Sequence, residues 1–198
     1  THVPISALAQ RLGVSPISAT ERVHRLQDKA QLDHRPYQGV RLTRQGRSTA
    51  LMVIRRHRLW ECFLFGHLGL AWDQVHEIAC QLEHAVGGPV ANSLETFLEE
   101  PVTCPHGNPI PSRGSALRPS PGVPLSDLAP GQQAIVLRIE PESTEVLTLL
   151  DHHGLRPGAR LSPERPPAPA GLVRLQIGGR SARVPIEATR HVIVAVRA

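Results

Sequence analysis

Apolar positions recur at helical spacing near the start of the chain. The run "ISALAQRLG" places apolar residues on one face from Ile5 to Leu12, and Gly13 is a typical helix end. A second helix is predicted from "SPISATERVHRLQDKAQL", in which Ser15 is a good N-cap and Pro16 takes the first helical position, where its missing N–H costs nothing. Two helices joined by a short turn that contains glycine are typical of a helix-turn-helix.

The periodicity changes from helical to strand-like after these two helices. "LDHRPYQGVRLT" has strand-like ends around a turn that contains proline and glycine, which predicts a two-stranded β-wing. Residues 1–54 are therefore predicted to form a winged helix-turn-helix domain that binds DNA.

Longer helical patterns fill the middle of the chain. "TRQGRSTALMVIRRHRLWECFLFGHLG" predicts a long helix from near Thr43 to near Gly69. The run "VHEIACQLEH" predicts a second helix that ends at Gly87 and Gly88, and "PVANSLETFLEE" predicts a shorter third one. Residues 55–102 are therefore predicted to form a second, helical domain.

The last part of the chain is dominated by short β-rich runs. Residues 103–124 are rich in proline, glycine and serine and predict a linker. Residues 125–198 contain "QQAIVLRI", "GLVRLQIGG", "SARVPI" and "HVIVAVR", with one predicted helix in "STEVLTLLDHHG". Several short strands in so short a segment predict a small SH3-like β-barrel, so the whole chain is predicted to be an α+β multidomain protein.

The net charge of +5 is unevenly distributed along the chain. Thr1 to Arg58 contains eleven Lys and Arg residues and three acidic residues, a balance of +8, whereas Leu59 to Glu100 contains seven acidic residues and no Lys or Arg. The first segment suits a polyanion such as DNA and the second suits a cation.

The composition indicates the cellular compartment of the protein and the role of its cysteines. The chain is 40% apolar, contains no run long enough to span a bilayer and does not open on a hydrophobic signal segment, so we expect a cytoplasmic protein. Cys62, Cys80 and Cys104 are an odd number of widely spaced cysteines. They indicate thiols or metal ligands and not a disulfide framework.

Six side chains of metal-ligand type lie on two consecutive predicted helices. The first helix has a histidine and a glutamate at i and i+4, and the second has donors at +4, +7 and +8 from a histidine, which places each set on one helix face. The six residues are His57 and Glu61 on the first helix, and His76, Cys80, Glu83 and His84 on the second.

The length of the second helix separates these donors into two groups. His76 and His84 are about 12 Å apart at 1.5 Å per residue, so one ion cannot be bound by both. We therefore predict two sites per subunit. The first group is His57, Glu61 and His76, and the second is Cys80, Glu83 and His84.

The donor types indicate a divalent transition metal. Imidazole with carboxylate suits Fe(II), Mn(II), Co(II), Ni(II) or Zn(II), and a thiolate favours iron or softer metals over manganese. Neither group has the Cys₄ or Cys₂His₂ pattern of structural zinc. A single histidine on a helix is more often a core or surface residue, but six donors in two register-matched groups favour metal binding.

Three segments carry a resemblance to a known family. "RRHRLWECFL", "VHEIACQLEH" and "CPHGNPIP" follow in this order behind the predicted winged helix. The chain resembles, over essentially its whole length, the diphtheria toxin repressor family of metal-dependent bacterial regulators of iron or manganese homeostasis. The resemblance implies a homodimer that binds a palindromic operator when loaded with Fe(II) or Mn(II) and represses metal-uptake genes.

The resemblance also assigns roles to the two groups of donors. It makes the group with His57 an ancillary site and the group with Cys80 a regulatory site. A cysteine at this position is typical of iron-responsive members, whereas the wing "YQGVRLT" and the segment "VSPISAT" are closer to the manganese branch, so both metals stay open. The family's first helix, which completes the regulatory site, does not occur in this sequence. In some members the SH3-like domain also donates metal ligands. Glu140 and Glu142 are possible donors of this kind in this sequence, and neither is predicted to be a ligand.

The resemblance and the basic charge predict which residues face DNA. The start of the second helix is the expected reader of the major groove, and basic residues of that helix and the wing are expected to hold phosphates. The groove-facing residues are Ser15, Pro16, Ser18 and Thr20, and the phosphate-contacting residues are Arg22, Arg25, Arg35, Tyr37 and Arg41. The predicted dimer interface is formed by Leu59, Phe63, Leu64, Leu68 and Leu70.

Structural roles are predicted for the other polar candidates. His152 and His153 are adjacent and point apart on a helix, which indicates surface or turn residues. Cys104 and His106 lie beside two prolines and predict a structured turn instead of a zinc site. Cys62 is predicted to be a buried thiol.

Two other classes of protein are alternatives to a DNA-binding regulator. A di-metal enzyme of the helical-bundle type needs two Glu-x-x-His motifs, and Glu61 and Glu83 stand in a different relation to the histidines. A metal store or carrier leaves the basic N-terminal domain unexplained. No catalytic constellation is found, and the chain is predicted not to be an enzyme.

Overall fold

The computed structural model describes residues 2–85, 87–112, 121–164 and 171–197. The chain divides into two compact units, an N-terminal unit of residues 1–53 and a C-terminal unit of residues 54–198. In the described part of the chain, no helix is both long enough and apolar enough to cross a membrane.

The N-terminal unit contains two short helices followed by a β-hairpin. Its elements are α1 (Ile5–Leu12), α2 (Pro16–Asp28), β1 (Leu32–Arg35) and β2 (Gly39–Leu42), and β1 and β2 pair antiparallel. The Ser18 backbone N–H donates to Ser15 Oγ at 3.1 Å, which caps α2 as the sequence predicts. Ala9, Ala19 and Val23 are buried between the helices.

Three helices follow, and each of them ends earlier than the sequence predicts. They are α3 (Arg44–Gly66), α4 (Val75–Leu82) and α5 (Gly88–Phe97). Beyond the end of α3 at Gly66, the Leu68 N–H donates to the Phe63 carbonyl at 3.2 Å in the turn that terminates the helix. Helix α4 ends at Leu82 and not at the glycine pair, so Glu83 and His84 lie in the turn that follows it.

The predicted dimer interface is partly wrong. Leu59 and Leu64 are buried within the chain itself, Leu59 against α5 and Leu64 against α4. Leu68 remains exposed at the end of α3. A side chain that already fills the core of its own subunit has no surface left for a second copy.

The remainder of the C-terminal unit is built around a six-stranded antiparallel sheet. Its strands are β3 (Val123–Pro124), β4 (Ala134–Ile139), β5 (Arg160–Pro163), β6 (Leu172–Ile177), β7 (Arg180–Pro185) and β8 (Val192–Val196). Their order is β3-β8-β4-β5-β6-β7. Helices α6 (Thr144–His152) and α7 (Ile186–Thr189) complete the unit.

The predicted barrel is present only as an open sheet. Strands β3 and β7 lie at opposite edges and do not pair within the described residues. Strand β3 is two residues long, and so short a strand offers few hydrogen bonds for closure.

Trp72 joins the helices to the sheet within the C-terminal unit. It comes from the loop between α3 and α4, and its buried ring packs in the core of the sheet with residues such as Leu147 and Val194. Its Nε1–H donates to the Pro105 carbonyl at 2.9 Å. This packing brings the middle of α3 and the start of α4 next to the end of β4.

Candidate metal centre

Three of the predicted donors meet at a buried point between α3 and α4. His57 Nε2 lies 2.9 Å from Glu61 Oε1 and 3.1 Å from His76 Nδ1. His76 Nδ1 lies 3.2 Å from the same Glu61 oxygen. The i, i+4 spacing aligns the first two on α3, and the packing of Val75 and Ala79 against Leu64 places His76 opposite them.

Two further donors reach this point from the other side. His106 Nδ1 lies 3.1 Å from Glu61 Oε1, and Glu142 Oε2 lies 3.6 Å from His76 Nδ1. Glu142 follows β4 and is largely buried, whereas Glu140 is exposed and pairs with Arg138.

Sequence reasoning missed both of these donors. It assigned His106 to a structured turn and selected neither acidic residue after β4. The signal for His106 was the Cys-x-His spacing beside the donor-rich helices; no local pattern distinguishes Glu142.

A tight turn after α5 presents Cys104 and His106. The Gly107 N–H donates to the Cys104 carbonyl at 2.9 Å, and the Cys104 N–H donates to the Asn108 carbonyl at 2.9 Å. The Asn108 side chain donates to the Ile139 carbonyl at 2.8 Å, which fastens the turn to β4. The turn therefore is structured, as predicted, and it also directs two donor side chains toward the same pocket.

Replacing Gly107 with alanine is expected to damage both stability and metal binding. Gly107 has φ +83°, and an added Cβ would lie 2.0 Å from the Leu137 carbonyl oxygen. We expect the free energy of unfolding to fall by about 2 kcal/mol or more, measured by chemical denaturation, together with weaker metal affinity. Gly154 is the control because its φ is +71° and a Cβ there meets nothing within 4 Å. Equal losses at the two positions would contradict the steric argument.

Glu61 contributes a negative charge to the interior of the pocket, and its side chain is fully buried. Burial raises its pKa, but hydrogen bonds from His106, His57 and His76 outweigh burial and hold the pKa well below its usual value. Burial lowers the pKa of His106, whereas hydrogen bonds to Glu142 and Glu61 raise it to about 10. His106 Nδ1 faces the Glu61 carboxylate at 3.1 Å, and a cation can take the place of a proton between them.

The second predicted group does not assemble as expected. His84 is exposed, with 70% of its side chain accessible, and contacts Glu83 Oε1 at 3.1 Å. Cys80 Sγ instead lies 3.9 Å from both His57 Nδ1 and His76 Nε2. Only the +8 position leaves the predicted face: Glu83 is the C-cap residue of α4 and keeps helical backbone geometry, whereas His84 lies in the turn beyond it.

Glu83 nevertheless reaches the first group. Its Oε2 lies 2.9 Å from His57 Nδ1, so the two nitrogens of His57 face different carboxylates. Burial, followed by the negative charge of Glu83, raises the pKa of the nearby Cys80 thiol to about 11. A bound cation would have to displace the thiol proton to gain this ligand.

The pocket fits a divalent metal ion. Glu61 Oε2 is buried and, among the described residues, has no hydrogen-bond partner. The second ring nitrogen of His106, Nε2, lies 2.9 Å from the Trp72 carbonyl and donates to it, an arrangement typical of metal-binding histidines. Among the described residues, three groups of side chains could each hold an ion, because within each group the donor atoms lie within 4.8 Å of one another. The groups are His57, His76 and Cys80; His57, Glu61, His76 and Glu142; and Glu61, Cys104, His106 and Glu142.

Cys62, His152 and His153 lie outside these groups. Cys62 is only partly buried; its Sγ lies 3.6 Å from the Thr103 carbonyl, and burial raises its pKa to about 12. The ring centroids of His152 and His153 are 5.2 Å apart in an edge-to-face arrangement at the C-terminal end of α6, so the prediction that the two side chains point apart is wrong.

The predicted DNA-facing residues are accessible in the N-terminal unit, with Tyr37 fully exposed at the tip of the hairpin. Arg35 and Arg41 lie 3.7 Å and 3.0 Å from Asp33, which orients both guanidinium groups on the hairpin. The Thr20 hydroxyl donates to the Pro16 carbonyl at 2.8 Å within α2. The other residues of the set, Ser15, Ser18, Arg22 and Arg25, are exposed or partly exposed on α2.

The fold and the donor cluster are those of a metal-dependent repressor, and the chain belongs to the iron-dependent repressor family. Residues 43–112 match the family model "Iron dependent repressor, metal binding and dimerisation domain", and residues 123–196 match the "FeoA domain". The resemblance seen in the sequence is therefore confirmed.

Individual relatives support the assignment. The iron-dependent repressor IdeR of Mycobacterium tuberculosis is 34% identical over 184 residues, which are 87% of this chain and 79% of that protein. The diphtheria toxin repressor of Corynebacterium jeikeium is 37% identical over 128 residues, 65% of this chain and 52% of that protein. Among solved structures, a manganese-dependent transcriptional repressor in complex with manganese has a TM-score of 0.87 at 32% identity and covers 100% of this chain and 92% of its own.

Proposed function

We propose that this protein is a transcriptional repressor that binds a palindromic operator as a homodimer when loaded with Fe(II) or Mn(II), and that it controls metal-uptake genes. The observation that carries the proposal is the convergence of three imidazoles on one buried carboxylate, Glu61. Its second oxygen has no hydrogen-bond partner in the part of the chain that the structure describes. Such a site is costly to bury unless a cation completes it. The membership of the chain in a family of metal-dependent repressors supports the other parts of the proposal, which are the homodimer, the operator and the control of metal-uptake genes.

The donors His57, Glu61 and His76, with Glu142 from the sheet, are proposed to hold one ion. They offer two imidazole nitrogens and two carboxylates, a set that suits Fe(II) and Mn(II) alike. The predicted regulatory residues Cys80, Glu83 and His84 are proposed to contribute to a second site beside the first, because Glu83 and Cys80 both lie near His57 Nδ1 on the side away from Glu61. When bound, the metal supplies positive charge and fixed coordination geometry, with no chemical reaction.

Metal is proposed to act by linkage between separate parts of the chain. The donors lie on α3, on α4 and after β4, so an ion that binds all of them favours one arrangement of these elements over others. Such an ion increases the population of the DNA-binding arrangement only as far as it binds this arrangement more tightly than the others. The long helix α3 runs from the hairpin to His57 and Glu61, and is proposed to transmit the change.

The N-terminal unit is proposed to be a winged helix that reads DNA, and the sheet an SH3-like domain. Helix α2 begins at Pro16, and its capped N-terminus presents Ser15 and Ser18 at the end that would enter the major groove. Phosphates are proposed to be held by Arg22, Arg25, Arg35, Tyr37 and Arg41.

DNA selection in the presence and absence of metal tests this function. The chain is incubated anaerobically with a random duplex library and Mn(II) or Fe(II), or with a chelator, at fixed salt. We expect enrichment of a near-palindromic sequence only with metal, and binding at least tenfold tighter than with chelator. Metal binding without any DNA enrichment would favour a metal store or carrier and would contradict the proposal.

Replacing a charged residue of α2 with an uncharged one tests the phosphate contacts. Arg25→Gln is expected to weaken binding to all sequences to a similar extent and to reduce the slope of log affinity against log salt by about 0.9. Fluorescence anisotropy at several salt concentrations measures both. Arg190→Gln, which removes an exposed arginine paired with Glu187 in the C-terminal unit, is expected to leave the slope unchanged. A change of preferred sequence with an unchanged slope would mean that Arg25 reads bases.

A further inference from the structure

The outer face of the sheet, which is the face turned away from its apolar core, carries a group of arginines. On β6 and β7 the side chains of Leu175 and Val184 are buried in the core, and side chains alternate between the two faces of a strand. Their neighbours Arg174 and Arg183 therefore lie on the outer face, directly opposite each other. The same alternation places two further arginines on this face: Arg160 at the start of β5 and Arg197 just after β8.

These four arginines differ from the others of the sheet in having no carboxylate beside them. Arg138, Arg156 and Arg190 each form an ion pair with an acidic residue, whereas none of the four does so within the described residues. Glu164 follows β5 on the outer face, and its carboxylate accepts a hydrogen bond from the Ser181 hydroxyl at 2.6 Å. Like charges that stand opposite each other destabilise a sheet, so a bound anion would stabilise this face.

A cavity of about 430 Å³ opens at one end of the outer face. Arg160 and Arg197 line it, so two of the four arginines reach the same space. Uncharged polar residues line the cavity between them: Ser162 stands opposite Gln176, and the backbone of Gln133 accepts from the Arg197 N–H at 2.8 Å. Small-molecule sites in proteins enclose about 300–1,000 Å³, so the cavity has room for a small ligand.

The donors of this cavity match a phosphate group. Each guanidinium offers parallel N–H groups that fit two phosphate oxygens, and two guanidinium groups suit the double negative charge of a phosphate. A serine hydroxyl and glutamine amides can donate to the remaining oxygens. Among the described residues that line the cavity, none is aromatic or acidic. Single-stranded nucleic acids bind through aromatic rings and hard cations through carboxylates, so a phosphate-bearing ligand fits the cavity better than either.

The opposed pair Arg174 and Arg183 extends the positive charge beyond the cavity. These residues lie two positions along β6 and β7 from Gln176 and Ser181, which is about 7 Å at 3.4 Å per residue. This distance is shorter than the screening length of about 8 Å at physiological salt, so the pair attracts the same anion. The additional charge favours a diphosphate over a single phosphate.

We infer that the outer face of the sheet binds a phosphate-bearing small molecule, which Arg160 and Arg197 hold together with the neighbouring serine and glutamine side chains. The cavity lies at the start of β4, whereas the metal donor Glu142 follows the end of this strand. The length of the strand, about 20 Å at 3.4 Å per residue, separates the two. The site is therefore distinct from the metal centre and does not rest on the proposed function.

Calorimetric titration with inorganic phosphate and with pyrophosphate tests the site. The full chain is first stripped of metal by dialysis against a chelator, so that neither anion binds to a metal ion. We expect the unchanged chain to bind both anions, and pyrophosphate more tightly. Arg160→Gln and Arg197→Gln are each expected to weaken binding by about tenfold or more, because each removes charge-assisted hydrogen bonds. Absence of binding in the unchanged chain, or equal binding by Arg160→Gln, would overturn the inference.

Two arginines outside the face provide matched controls. Arg190→Gln removes an exposed arginine from the same unit, and Arg25→Gln removes one from the N-terminal unit. Both variants are expected to retain the pyrophosphate affinity within about twofold, because distant surface charges are screened by salt. Far-ultraviolet circular dichroism verifies that every variant is folded. Binding that is lost in Arg25→Gln and kept in Arg160→Gln would place the anion on the N-terminal unit and would contradict the site on the sheet.

Amide chemical shifts locate the anion independently of its affinity. Gly178 and Gly179 line the cavity, whereas Gly107 lies in the turn beside the metal centre. During titration of the metal-free chain with pyrophosphate, the amide signals of Gly178 and Gly179 are expected to move and that of Gly107 to stay. Movement of Gly107 alone would mean that the anion occupies the metal centre, and the inference would be wrong.

A DNA duplex of random sequence separates a small-molecule ligand from a nucleic acid. Its affinity for the metal-free chain is measured by fluorescence anisotropy in the unchanged chain and in Arg160→Gln. We expect the two affinities to agree, while Arg160→Gln loses pyrophosphate binding. A loss of duplex affinity as large as the loss for pyrophosphate would make the occupant a nucleic acid and would refute a small-molecule site.

Discussion

Replacing Glu61 with glutamine is expected to abolish metal-dependent DNA binding. Among the described residues, Glu61 is the carboxylate that His57, His76 and His106 all contact, so its charge interacts with each of these imidazoles. Loss of an outer partner of a metal site already costs about 10–100-fold in affinity, and a shared direct ligand is expected to cost about a hundredfold or more. Metal titration by calorimetry and anisotropy with the selected operator measure the two effects.

The control for this substitution lies on the neighbouring helix. Glu77 is exposed on α4, next to His76 in sequence, and Glu77→Gln removes the same charge without touching the pocket. It is expected to retain metal affinity within about twofold. If Glu61→Gln kept the metal response of the unchanged chain, the pocket around Glu61 would not control DNA binding.

Replacing Arg55 with alanine is expected to lower the free energy of unfolding more than the Gly107 and Arg190 substitutions do. Arg55 is buried on α3, forms an ion pair with Glu95 of α5 and donates to Asn92 Oδ1 at 3.4 Å. Its removal deprives the largely buried Glu95 carboxylate of this cation, and such losses cost about 3–5 kcal/mol. Urea denaturation followed by far-ultraviolet circular dichroism measures the free energy of unfolding.

Two comparisons separate the ion pair from general effects of the mutation. Arg190→Ala breaks an exposed pair with Glu187 and is expected to cost less than about 1 kcal/mol. The double variant Arg55→Ala/Glu95→Ala is expected to be less destabilised than the sum of its two single variants, because each single variant already removes the same ion pair. Strict additivity would show that Arg55 stabilises α3 without Glu95.

The sequence alone determined the local elements and the donors that share one helix. Ser15 and Pro16 mark the start of α2, and the structure begins the helix there. The i, i+4 spacing of His57 and Glu61 places them on one face of α3, because both positions lie within about one turn of the same helix. Local hydrogen bonding and helical periodicity are encoded in neighbouring residues, so they can be read from the sequence.

Only the tertiary structure decided which distant donors join them. Glu142 and His106 reach Glu61 because Trp72 packs into the sheet and the Asn108 turn fastens to β4, contacts between residues far apart in sequence. The end of α4 at Leu82, which separates Cys80 from His84, likewise depends on how the following turn packs. A short sequence pattern records the face on which a side chain lies, but the surface that the face meets is set by packing across the whole unit.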